Sequence, residues 1–104
     1  MGYKQEFGMG FDLGFKEYQF PYELHDRSYR NDCCPSFWFK KDNDFYILWV
    51  DFEEPEEREF ESAKRYTLVH AINEGENDSP EIYSDTDKAI ITESESFPSI
   101  TSIV

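Results

Sequence analysis

Six consecutive residues, Phe45-Tyr46-Ile47-Leu48-Trp49-Val50, are apolar on both alternating faces. A run this short and this rich in aromatic and β-branched side chains reads as a buried central strand. Phe37-Trp38-Phe39 precedes it, and the intervening Lys41-Asp42-Asn43-Asp44 is dense in turn formers. The two runs therefore predict a β-hairpin.

Further strands follow from the same pattern. Arg65 to Ile72 is a second β-prone run, Asn73 to Ser79 is a polar loop containing Gly75, and Pro80 to Tyr83 adds a short strand. Near the N-terminus, Phe7, Met9, Phe11, Leu13 and Phe15 alternate with Gly8, Gly10, Asp12, Gly14 and Lys16. Period two over that length predicts an amphipathic strand, with the glycines marking bulges or close backbone approaches. The same glycines lack the GxxxxGK[ST] order and the following helix of a phosphate loop. Residues 18–35, bracketed by Pro21 and Pro35, are irregular, with Tyr22, Leu24 and Tyr29 as anchors and a short helical turn around 22–30.

Ser84-Asp85-Thr86-Asp87 carries the cap residues of a helix start, Ala89, Ile90, Ile91 and Phe97 supply an apolar side, and Pro98 is read as its stop. The expected fold is α+β: an antiparallel meander of about four to five strands with a C-terminal helix packed on one face. At 104 residues, 1–104 is read as one domain, with 98–104 as a frayed or docking tail. Ten Phe, seven Tyr and two Trp supply enough aromatic area for a core, which sets the chain apart from disordered acidic tails.

The formal net charge is −13, and it is uneven: residues 1–50 carry −2 and residues 51–104 carry −11. A field of this sign opposes direct binding to nucleic acid or to anionic membranes and favours a basic protein partner. The competing reading is that the acidity serves solubility alone. No apolar run reaches membrane-span length, and the first six residues lack the apolar segment of a signal peptide. The adjacent Cys33 and Cys34 have neither CxxC spacing nor a neighbouring His, so reduced thiols in a cytoplasmic protein are expected.

No constellation for catalysis emerges. Cys33, Cys34 and the serines are the available nucleophiles, and His25 and His70 the available bases, but none stands in a pattern that activates it. The Asp42-Asn43-Asp44 and Asp85-Thr86-Asp87 triplets offer oxygen ligands to a hard cation, yet a turn and a helix cap account for them equally well. Asp51 shares a strand face with Ile47 and Trp49, which suits a hydrogen-bonding role at a strand end. The chain is therefore expected to be non-enzymatic, with no cofactor and no metal.

The acidic segments remain. Asp51, Glu53, Glu54, Glu56, Glu57, Glu59 and Glu61 form the densest feature, flanked by Phe52 and Phe60. Glu74, Glu76, Asp78, Glu81, Asp85 and Asp87 form a second group that would extend the same surface if the fold brings the two together. Duplex DNA carries about one charge per 1.7 Å of axis, a density that such carboxylates approach. As a small acidic chain without a catalytic constellation, the protein resembles bacterial immunity proteins that neutralise basic nuclease toxins. It also resembles phage anti-defence proteins, such as anti-CRISPRs, that imitate DNA. The first resemblance implies an inhibitor whose acidic half occludes a toxin's basic active site. The second implies a block on a DNA-binding complex. A third class, a small metal-binding or hydrolytic domain using Asp51, His70 or Cys34, stands as the enzymatic alternative.

Overall fold

The structure, a computed structural model, describes residues 2–104. One antiparallel sheet dominates it: β1 (His25–Asp26), β2 (Ser36–Lys41), β3 (Asp44–Val50), β4 (Tyr66–Asn73), β5 (Ile82–Ser84) and β6 (Thr92–Ser94). The order is β1-β2-β3-β4-β5, and β6 also pairs with β4. Strands β5 and β6 divide the outer edge of β4, β5 pairing with residues 71–73 and β6 with residues 66–68. Two short helices flank the sheet, α1 (Tyr3–Phe7) and α2 (Phe97–Thr101).

The central hairpin forms as its composition dictates. Asp42 and Asn43 make a two-residue turn, with Asp42 at φ 58°, and Lys41 pairs with Asp44. Both edges of β3 are paired, and Ile47 on one face and Leu48 on the other are fully buried, while Phe45, Tyr46 and Trp49 are partly buried. Pairing registers place Phe37, Leu48 and Leu68 across one face, with Phe39, Tyr46, Val50 and Tyr66 beside them. The opposite face carries Trp38, Ile47 and Val69, then Ser36, Trp49 and Thr67.

The main core lies on the first face, where Phe11, Leu13, Phe15, Phe20 and Ile100 pack against the sheet. The C-terminal helix covers this face as expected, but it lies later in the chain than the cap residues at 84–87 predict. Those residues instead form a turn between strands: Asp85 Oδ1 accepts from the Asp87 amide at 3.1 Å, and the Asp85 amide donates to the His70 carbonyl at 2.9 Å. An Asp that can cap a helix can equally close a local turn, and the β-branched stretch after it favours strand pairing. Pro98 starts α2 rather than stopping a helix, because its missing amide costs nothing in the first turn. The segment read as a tail is accordingly anchored: Ile100 is fully buried, and the Val104 carbonyl accepts from Lys41 Nζ at 3.2 Å.

The N-terminal alternation is real, but it does not make a strand. Phe11, Leu13 and Phe15 are buried while Asp12, Gly14 and Lys16 are exposed, yet Met9 is 75% exposed, Phe7 ends α1, and residues 8–16 lie outside the sheet. Side chains hold this backbone instead of a ladder. Tyr66 Oη donates to the Leu13 carbonyl at 2.7 Å and Arg65 Nη2 to the Asp12 carbonyl at 2.7 Å. Gly14, at φ 82°, sits where a Cβ would collide with the Tyr66 hydroxyl, so the approach that makes this bond requires glycine. Around 22–30 the expected helical turn is replaced by the two-residue β1, and Tyr29 is exposed rather than an anchor. Among the described residues no helix is long and apolar enough to cross a membrane.

Candidate functional site

The dense acidic segment becomes the connection between β3 and β4. Pro55 opens a 3₁₀ turn over Pro55–Glu57, as a proline at the first helical position favours. The connection is organised from beneath by Arg58, the one base within its acidic stretch 51–61. Arg58 Nε donates to the Phe52 carbonyl at 2.7 Å, Nη1 to the Ala63 carbonyl at 2.7 Å, and Nη2 to the Glu53 carbonyl at 3.1 Å. The same guanidinium forks onto Glu95, through Nη1 at 2.7 Å and Nη2 at 3.0 Å. This bonding holds the Arg58 pKa above and the Glu95 pKa below their ordinary values. Burying the cation turns the acids outward: Glu53, Glu54, Glu56, Glu57, Glu59 and Glu61 are all exposed.

Asp51 departs from this set. It is buried and lies beneath the acidic surface rather than on it. Its Oδ1 accepts from the Phe52 amide at 2.8 Å, and its own amide donates to the Arg65 carbonyl. Burial raises its pKa, against the opposing pull of that amide and of Arg58. Asp51 thus occupies the strand-end hydrogen-bonding position its sequence context suggests, and it is removed from the partner-facing set.

The two acidic groups do not adjoin. The first follows Val50, which pairs with Tyr66 at one end of β4, whereas Glu74, Glu76 and Asp78 follow Asn73 at the other end. Eight extended residues separate them by roughly 23 Å. Asp85 and Asp87 lie between, along the outer edge of β4. The exposed Glu93 of β6, paired with Thr67, stands on the same edge, so acids of the β4 edge run between the two poles.

At the first pole the fold adds groups that the local sequence does not reveal. The N-terminal segment closes against the β3–β4 connection to form an open groove of about 350 Å³. Phe7, Phe11 and Phe52 line it together with Asp12, Glu53, Glu54 and Glu57. Phe11 and Phe52 meet edge to face with centroids 4.9 Å apart, and Phe7 lies 6.3 Å from Phe11. Aromatic faces beside four carboxylates make a seat for a cation: the rings attract it through their quadrupoles and the carboxylates through charge. Of the two aromatics flanking the acidic run, Phe52 joins this groove, while Phe60 is 65% exposed. Phe7, Phe11 and Asp12 are brought in from some forty residues upstream, so only the period-two burial of 11–15 hints at their role.

The groups considered for catalysis are dispersed. His25 stacks on Trp38 at 4.0 Å, on the face that carries Ile47, while His70 shares the opposite face with Tyr46, 5.6 Å away. Cys33 and Cys34 are free thiols in the loop before β2, Cys34 being buried. The Asp42–Asp44 triplet is the hairpin turn, and Asp85–Asp87 is the turn described above. Among the described residues no group of three or more His, Cys, Asp or Glu side chains is placed to hold a metal ion. No protein-family model, curated protein or solved structure matches the chain.

Proposed function

We propose that this protein is a non-enzymatic acidic inhibitor, acting in the cytoplasm, that docks its β3–β4 pole onto the basic active site of a nuclease toxin. The observation that carries this reading is the groove itself. It combines an aromatic lining with Asp12, Glu53, Glu54 and Glu57, a recess suited to one Lys or Arg side chain of the partner. Aromatic anchors beside charge are where interfaces concentrate their binding energy. Arg58 underlies the recess and fixes the loop carbonyls, so the carboxylates are presented without ordering the loop on binding. A cationic nuclease cleft meeting this pole would lose substrate access by charge and by volume together.

The alternative of a nucleic-acid mimic calls for a continuous array of charge. The recess at the β3–β4 pole, where aromatic rings adjoin four carboxylates, favours one focused contact instead. The test is capture of partners from host lysate on immobilised protein, followed by stepwise salt elution and a nuclease assay on the captured partner. A single basic nuclease that elutes with salt and is inhibited by the free protein is the expected result. The Glu53→Gln, Glu54→Gln, Glu57→Gln triple variant should fail to retain it. Equal retention by wild type and triple variant would refute the groove as the contact, and the absence of any nuclease among salt-eluted partners would refute the inhibitor reading.

A further inference from the structure

On the sheet face away from the main core, Cys33 and Cys34 open onto a second cavity that plays no part in the acidic groove. Their sulfurs lie 3.6 Å apart. The cavity, about 190 Å³, is lined beyond the thiols by Trp49, Ala63, Thr67 and Val69 together with the charged residues Asp51, Lys64 and Arg65. Cys33 is exposed and Cys34 buried, so one sulfur meets solvent while the other lies behind it.

Two thiols so placed can close on each other or on a bridging atom, and the geometry separates the cases. Residues joined by a trans peptide have Cα atoms about 3.8 Å apart, below the roughly 4.4–6.8 Å range that disulfides occupy. A bridging atom relaxes that constraint. With a bridging atom the two sulfurs keep a non-bonded separation in place of the roughly 2.05 Å of a disulfide, as the 3.6 Å found here allows. Zinc would need four donors, and among the described residues no third metal-binding side chain completes the set. A trivalent organoarsenical needs only two thiols, because its third bond is to the carbon group it carries.

We propose that Cys33 and Cys34 form a bidentate capture site for trivalent organoarsenicals, with the organic substituent seated in the adjoining cavity. The reaction balances without an oxidant. One R–As=O and two S–H groups give R–As(S)₂ and one water; two As–S bonds form, the two thiol protons leave on the oxide oxygen, and arsenic stays trivalent. Cys33 attacks first from solvent, and Cys34 closes the ring from 3.6 Å away. Burial raises the pKa of both thiols, so the attacking thiolate is scarce at neutral pH and the rate of capture should rise with pH. The cavity is of the same order as the ~150 Å³ void that accepts benzene in another protein, which matches it to an aryl substituent.

The test uses phenylarsine oxide on the reduced full chain, read by intact mass and by titration of the remaining free thiols. The expected product is one phenylarsenic group per chain, with both thiols lost together, stable to a monothiol wash and released by 2,3-dimercaptopropanol. Cys33→Ser, an exposed change that leaves the core intact, should abolish the wash-resistant adduct. Val69→Trp, which fills the cavity and leaves both sulfurs in place, should weaken retention of phenylarsine oxide more than that of methylarsine oxide. Absence of the adduct in the wild type, or its survival in Cys33→Ser, would overturn the proposal. Equal effects of Val69→Trp on the two arsenicals would overturn the seating of the substituent.

Discussion

Replacing Arg58 with Ala should cost more than any other single charge removal in this chain, and the reason lies in its partners. The side chain is 1% exposed and makes five hydrogen bonds, three to loop carbonyls and two to Glu95. Removing one member of a buried ion pair typically costs about 3–5 kcal/mol. Here Glu95 is half exposed and recovers much of its hydration, so its share is smaller. The freed carbonyls of Phe52, Glu53 and Ala63 regain water only by opening the connection, which places the net loss at about 2–4 kcal/mol. For a chain of this length, about 3 kcal/mol lowers the melting temperature by roughly 12–24 °C. Urea unfolding followed by tryptophan fluorescence should show a lower midpoint with an unchanged slope. Arg58→Lys keeps the charge but loses the planar fork, and should forfeit more than half of the same stability. The exposed Lys88→Ala, as a control, should stay within about 0.5 kcal/mol of wild type. If Arg58→Ala costs no more than this control, the claim that one buried cation shapes the acidic pole is wrong.

Two further outcomes test the packing and electrostatics. Tyr66→Phe removes the donor to the Leu13 carbonyl while keeping the ring, and should cost about 1–2 kcal/mol; amide exchange over residues 11–15 should quicken in step, whereas unchanged exchange would show that this bond does not hold the segment. Glu95 has its pKa depressed by Arg58, so its contribution is present above the unfolded value near 4.3 and is lost as pH falls through the folded value. Urea midpoints measured from pH 7 to pH 3 should therefore fall more steeply for wild type than for Glu95→Gln, the two converging at the acid end, and parallel curves would contradict the assignment.

The parts of the fold legible in sequence are those settled within a few residues. Asp42-Asn43 specifies the β2–β3 turn, the Phe45–Val50 run specifies a strand paired on both edges, and Pro55 specifies the start of a 3₁₀ turn. Signals with two local meanings misled. Asp85 caps a helix or closes a turn, and Pro98 ends a helix or begins one; the choice falls to β4, whose outer edge recruits residues 92–94 as a strand. The alternation of 11–15 tells which side chains point inward, but not that Tyr66 and Arg65 would hold the backbone in place of a neighbouring strand. The groove was least legible, because Phe11 and Phe52 meet across forty residues of chain.

The divided outer edge of β4 bears on a hazard that every chain with such a centre faces. Phe45–Val50 is uncharged, β-prone and six residues long, the kind of segment that seeds cross-β association when exposed. In the native sheet it is interior, and the margins offer little to template on: β1 has two residues, and β5 and β6 three each, separated by the turn at Asp85. Short, interrupted margins deny an incoming strand the long ladder it needs. The same two strands that complicate the topology therefore guard against self-templating. Variants that join β5 and β6 into one continuous strand should pair with β4 more regularly and yet be more prone to aggregate.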